Sequence, residues 1–263
     1  MGMTLYTFVE MVALTCLLPS GVPTTPLKSK TAIGAPLWGY EDPNGPTNWP
    51  GVCIYGSEQS PINIDLATVV THNFDQLIFL NYNSSGNVAV RNSGRTEVLD
   101  GFLNWPNVPT VTGGGLGDRY KLRQIHFHWG STDNSGSEHT IGHLHYPLEA
   151  HLVHIRNDLS ESQAANTTGG TIVFAFFFTI GTVGKPFQQL EQALNATVGV
   201  DTHGTINCRP SEMLPANTNT WFRYAGSLTT PPCTEGILWT VFVDPLNITN
   251  QQVRLVSFSI PVS

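Results

Sequence analysis

Gln124-Ile125-His126-Phe127-His128-Trp129-Gly130 alternates polar and apolar side chains up to a glycine. In an extended strand successive side chains point to opposite faces, so Gln124, His126 and His128 share one face while Ile125, Phe127 and Trp129 share the other. Two imidazoles two residues apart on a strand can hold one cation. A zinc site of that kind takes a third protein ligand and keeps a fourth position open. His151 is the best candidate for the third ligand. Its surroundings, Leu148-Glu149-Ala150-His151-Leu152-Val153-His154, read as a second strand on which Glu149 and His151 share a face. His126 and His151 thus each have a potential acceptor two residues upstream, Gln124 and Glu149. Metal-bound imidazoles pass their second N–H to such groups, which sets the tautomer and strengthens the ligand.

A lone His-x-His is more often a pair of half-buried histidines than a metal site; it is the whole constellation that favours metal here. His143-Leu144-His145 is a rival, but it lies between Gly142 and Pro147, where turn chemistry is expected, and is read as a loop at the rim. His154 falls on the opposite face from His151. His72 and His203 have no ligand-like neighbours, and all three are read as structural or exposed.

These residues, with Ser137-Glu138-His139-Thr140, Ser227-Leu228-Thr229-Thr230-Pro231-Pro232, Trp38-Gly39-Tyr40 and Gln59-Ser60-Pro61-Ile62, resemble an alpha-class carbonic anhydrase. The resemblance runs from about Trp38 to Phe258 with the motifs in the family's order. It implies one zinc ion held by His126, His128 and His151, and reversible hydration of carbon dioxide to bicarbonate and a proton by zinc-bound hydroxide. Three neutral ligands leave the ion's double charge intact, which can lower the pKa of a bound water to about 7. By the same resemblance Thr229 and Glu138 orient the hydroxide and Tyr40 bonds near Thr229. Val153, Val173, Leu228 and Trp239 line the substrate pocket, with Thr230 on its wall. Sulfonamide-type and anionic inhibitors are implied as ligands.

Two departures from the family pattern stand out. Counting along a strand from Val88 to Val98 puts Arg95 at the proton-shuttle position, where fast relatives carry a histidine; an arginine cannot be deprotonated there. The chain stops at Ser263, short of a family segment with late strands and a carbonyl for the histidine matched by His128. Weak activity, or a non-catalytic zinc-binding or matrix role, is therefore the alternative to the enzyme reading. Retention of all three histidines favours the enzyme.

The 263 residues suffice for one large domain, and a net charge of -7 with 12 Lys and Arg argues against a nucleic-acid partner. Segments such as Val88-Ala89-Val90, 171–180 and 237–243, separated by Gly, Pro, Asn and Ser clusters, read as strands, and 188–194 reads as a helix. Residues 99–117 read as a long surface loop. The expected fold is mainly β (α+β): a single domain around a large twisted, mostly antiparallel sheet with a few short surface helices.

Residues 1–22 resemble a secretory signal peptide: an apolar run from Phe8 to Leu18, interrupted by Glu10, ends in Pro19-Ser20-Gly21-Val22. Residues 23–36 read as a linker and 37–263 as the domain, which places the protein outside the cell with no transmembrane segment. Cys16 would leave with the leader. The resemblance implies a disulfide between Cys53 and Cys233, leaving Cys208 unpaired; spacing alone does not give connectivity. Asn83, Asn166, Asn195 and Asn247 begin glycosylation sequons.

Overall fold

The computed structural model describes residues 6–8, 38–182, 184–197 and 199–259, so the expected leader and linker lie, apart from 6–8, outside the described residues. The strands are β1 (Tyr6–Phe8), β2 (Asn63–Ile64), β3 (Val70–His72), β4 (Leu77–Leu80), β5 (Gly86–Asn92), β6 (Glu97–Asp100), β7 (Thr110–Gly113) and β8 (Tyr120–Trp129). They continue as β9 (Thr140–Ile141), β10 (Leu148–Arg156), β11 (Thr171–Ile180), β12 (His203–Cys208), β13 (Trp221–Ser227), β14 (Glu235–Phe242) and β15 (Leu246–Ile248). One large sheet runs in the order β12-β5-β6-β8-β10-β11-β14-β13-β1-β3, with β15 beside β11 and β7 joining β4 to β8. Most neighbours are antiparallel. The sheet is nevertheless mixed, because β14 and β15 run parallel to β11 and β1 runs parallel to β13.

β11 lies at the centre, and residues 171–178 are all buried. A strand covered on both faces needs no polar alternation, which is why this stretch reads as a near-continuous apolar run. Its even-numbered residues Ile172, Phe174, Phe176 and Phe178 join Ile125, Phe127, Leu148, Ala150 and Leu152 in the main core. The odd-numbered Val173, Ala175 and Phe177 join Phe222, Tyr224, Trp239 and Val241 in a second cluster on the opposite face. The histidines of interest stand on that second face.

Short helices decorate this sheet. The helix Glu161–Ala164 is started by a capping box in which Ser160 accepts from the Gln163 backbone and Gln163 reaches back to Ser160. In place of one helix over 188–194 there are two, Lys185–Gln188 and Glu191–Ala196. The helix Asn250–Ser259 also escapes the sequence reading.

Two further expectations are corrected. Val88 to Val98 is a hairpin rather than one strand: β5 ends at Asn92, Gly94 takes φ 78°, and the Ser93 N–H donates to the Thr96 carbonyl before β6 begins. Residues 99–117 are not a surface loop. Leu99, Phe102 and Val111 are fully buried, and β7 pairs with both β4 and β8. The Gly113-Gly114-Gly115 run that suggested a loop supplies three consecutive positive φ angles for the turn leaving β7. All four sequon asparagines are exposed.

Candidate metal centre

β8 and β10 are adjacent and antiparallel, and their register sets His126 opposite His151, His128 opposite Glu149, and Gln124 opposite Val153. One turned-in row thus continues across the sheet as Gln124, Val153, Val173, Trp239 and Tyr224; the next contains Val98, His126, His151 and Ala175. The three imidazoles converge, with ring centroids 4.5 to 5.1 Å apart.

His151 Nδ1 lies 3.3 Å from His126 Nε2. Two nitrogens each about 2.05 Å from a tetrahedral zinc stand about 3.3 Å apart, so this spacing suits the ion. One nitrogen from each of His126, His128 and His151 falls within a cluster whose atoms lie within 4.8 Å of one another. His128 Nε2 is buried without a hydrogen-bond partner. A buried imidazole nitrogen left unpaired is an anomaly in protein alone, and a cation among these donors would satisfy it. The donor set, three nitrogens with no carboxylate among them, suits zinc.

Burial is the main reason that all three imidazoles stay neutral, the form a metal requires. It lowers His126 to about 3, and it lowers His128 and His151 as well, with repulsion from neighbouring histidines adding to the shift of His128.

Glu149 is fully buried beneath this cluster. Its Oε1 lies 2.6 Å from both His151 Nε2 and His139 Nδ1, and its Oε2 accepts from the His139 backbone N–H at 2.8 Å. Burial alone would raise its pKa, but His139 and His151 outweigh that and hold it well below the carboxylate range. His139 continues outward, with Nε2 2.6 Å from Tyr224 Oη, which lies 2.8 Å from Ser60 Oγ. Ser60 Oγ accepts from the Ser227 N–H and Ser227 Oγ from the Ser60 N–H, which carries the network to the Leu228-Thr229-Thr230 loop. The sequence does not single out His139, Tyr224 or Ser60 for this network, although His139 and Ser60 lie within quoted motifs. What joins them is contact across the sheet.

Of the two expected acceptors, Glu149 bonds its histidine. Gln124 shares the face but makes no described hydrogen bond to His126. Glu138 brings Oε1 to 3.2 Å from His128 Nδ1. Its pKa is raised by burial and then by Glu149, while a hydrogen bond from Thr229 opposes the shift. Thr229 is buried, and its loop closes on itself through the Leu228 N–H to Thr234 and the Cys233 N–H to Thr230. A disulfide between Cys53 and Cys233 ties the loop to the helix Val52–Tyr55, and Cys208 is free and buried.

Val153, Val173, Leu228 and Trp239 belong to one apolar cluster, and the Trp239 ring lies 4.8 Å from that of His151. Tyr40 packs edge-on against Trp38 and Trp49; burial, with Glu138 next, raises its pKa, whereas Arg95 lowers it. Arg95 lies in the β5–β6 turn, with Nε and Nη2 donating to the Trp38 carbonyl. His143 and His145 are exposed in a turn, as expected. His154 is buried on the other face, hydrogen-bonded to Tyr82 and with Nδ1 2.9 Å from the Leu152 carbonyl.

Residues 44–259 match the family described as eukaryotic-type carbonic anhydrase. The chain is 40% identical over 222 residues to "Putative carbonic anhydrase 5" of Caenorhabditis elegans, covering 83% of this chain and 72% of the relative. It is 41% identical over 224 residues to "Putative carbonic anhydrase 3" of the same organism, at 83% and 85% coverage. Carbonic anhydrase 7 of Mus musculus is 34% identical over 226 residues, at 84% and 85% coverage.

Proposed function

The chain belongs to the eukaryotic-type carbonic anhydrase family, and from that premise we propose that it hydrates carbon dioxide reversibly to bicarbonate and a proton, using one zinc ion held by His126, His128 and His151. The observation that carries this reading is the convergence of three neutral imidazoles, one of them with a buried, unpaired Nε2. A zinc ion, when bound, supplies the Lewis acidity that makes water a nucleophile near neutral pH.

The surrounding residues divide the remaining work. Glu149 fixes the His151 tautomer by accepting from Nε2, which leaves Nδ1 free as a donor. The Thr229 hydroxyl donates a hydrogen bond to the Glu138 carboxylate, so its oxygen is left to accept one from the reacting water. That constraint aims the water's lone pair at the substrate. Carbon dioxide is apolar and needs no charged clamp. Val153, Val173, Leu228 and Trp239 form its wall, with Thr230 beside them, and Tyr40 supports the Glu138 side of the site. Sulfonamide-type and anionic inhibitors bind at the same centre.

The exposed sequon asparagines, the disulfide and the leader-like residues 1–22 support an extracellular protein whose domain spans 37–263. Among the described residues no helix is long and apolar enough to cross a membrane. A mobility shift on glycosidase treatment of protein collected from the medium of secreting cells tests the location.

Metal analysis and stopped-flow hydration of carbon dioxide, on the parent and on His151→Ala, test the activity. One zinc per chain and hydration above the uncatalysed rate, limited by proton release because Arg95 stands at the shuttle position, are expected in the parent, with both lost in the variant. Full zinc in a folded His151→Ala protein would overturn the ligand set. Zinc without hydration in the parent would favour the non-catalytic zinc-binding reading.

A further inference from the structure

Arg95 holds its position through neutral partners. Its Nε and Nη2 donate to the Trp38 carbonyl at 3.2 and 2.9 Å, and its guanidinium carbon stands 4.0 Å over the Trp38 ring. The arginines found in ion pairs among the described residues are Arg123, Arg156 and Arg209. Arg95 is therefore fixed but not neutralised by a carboxylate. A carbonyl and an aromatic face orient a guanidinium without cancelling its charge.

Its place is also fixed relative to the site. The next residue, Thr96, donates through Oγ1 to the Phe127 carbonyl at 2.6 Å and accepts from the Phe127 N–H at 3.1 Å. Phe127 sits between His126 and His128. Trp38, which holds Arg95, packs edge-on against Tyr40, and the Tyr40 hydroxyl feels the charges of both Glu138 and Arg95. Arg95 is half-buried, which leaves part of its charge facing solvent.

The geometry points to Arg95 as a charge selector that favours anionic proton acceptors over neutral ones at the entrance to the site. This rests on the hydration reading above. Each turnover of carbon dioxide and water into bicarbonate leaves one proton that must reach bulk solution, and Arg95 cannot relay it. The proton then passes to a buffer base that comes to the mouth, and the base's charge decides how often it arrives. At an approach of about 8 Å in water, one positive charge enriches a dianion by about two- to fivefold, less as salt rises. A neutral base gains nothing. Glu41 and Asp42, which follow Tyr40, are exposed and form no ion pair among the described residues.

The rate increase per unit of buffer is measured at constant ionic strength with phosphate and with imidazole, bases of similar strength but different charge. For Arg95→Gln the ratio of the phosphate to the imidazole constant should fall about two- to fivefold, and Arg95→Lys should restore most of it. An unchanged ratio would overturn the proposal, as would a parent whose hydration rate ignores both buffers. A second readout does not depend on activity. The share of tryptophan quenching that is lost in a Trp38→Phe background isolates Trp38 from the other five tryptophans, and for that share quenching by iodide divided by quenching by neutral acrylamide reports the local potential and should fall in Arg95→Gln. An equal iodide-to-acrylamide ratio in parent and variant refutes the selector even in a protein that fails to hydrate carbon dioxide. A changed ratio in an inactive protein would instead fault the hydration reading alone.

Discussion

Replacing Glu149 by Gln removes one charge and almost no volume, at a position with no solvent contact. The carboxylate is the acceptor for His151 Nε2 and His139 Nδ1 through one oxygen and for the His139 N–H through the other. An amide offers one acceptor oxygen, and its NH2 turned toward an N–H repels it. At least one of the three donors is then left buried and unpaired, a loss of about 1–3 kcal/mol in the metal-free protein. His151 can escape by flipping its tautomer so that Nε2 accepts from the amide, but that places the proton on Nδ1, the nitrogen the metal needs. Zinc affinity should accordingly fall about 10- to 100-fold, equivalent to about 1.4–2.7 kcal/mol. Competition with a chromophoric chelator measures the affinity, and urea unfolding of the metal-free protein measures the stability separately. A Gln variant that binds zinc within twofold of the parent would show that the carboxylate does not set the ligand's tautomer.

Other outcomes follow from the same structure. His154 titrates at about 3 in the folded protein because of its burial, against an ordinary 6.5. Below pH 6.5 the unfolded chain takes up a proton that the folded chain refuses, so stability present at neutral pH is lost as pH falls toward 3, by about 1.4 kcal/mol per unit for each such histidine. Urea midpoints of the metal-free protein at pH 7, 6 and 5 should fall, and less steeply in His154→Gln. The Cys53–Cys233 disulfide closes a sequence separation of 180 residues. Its removal in a Cys53→Ala, Cys233→Ala pair should lower unfolding stability by about 2–4 kcal/mol, and hydration should weaken as the Thr229 loop loses its tether. Burial pushes the Cys208 thiol up to about 12. In protein lacking residues 1–22, and with them Cys16, a thiol-specific chromogenic reagent should therefore leave the native state unmodified and label one cysteine once it unfolds; prompt native labelling would contradict the buried placement.

Side-chain alternation is a local property, and it sufficed to place Gln124, His126 and His128 on one face, while an apolar run bounded by turn residues sufficed to mark 171–180 as a strand. Residue chemistry in the motifs sufficed for the family, because three histidines, Glu138 and the 227–232 run occur together in order. At the β5–β6 hairpin the reading of one strand passed over the Ser93-Gly94 turn signal, because apolar alternation resumes within a few residues on either side of it. Local pattern misled at β7, where a glycine run looks like a loop but supplies the turn between paired strands. Only the tertiary structure decided that β10 lies beside β8 in the register that sets His151 against His126, since a slip of one residue would turn His151 into the opposite core. Only it joined Glu149 to His139, Tyr224 and Ser60, residues up to 164 positions apart along one hydrogen-bonded path. Pairing between strands depends on which other strands are available to bury each face, and no stretch of sequence carries that information alone.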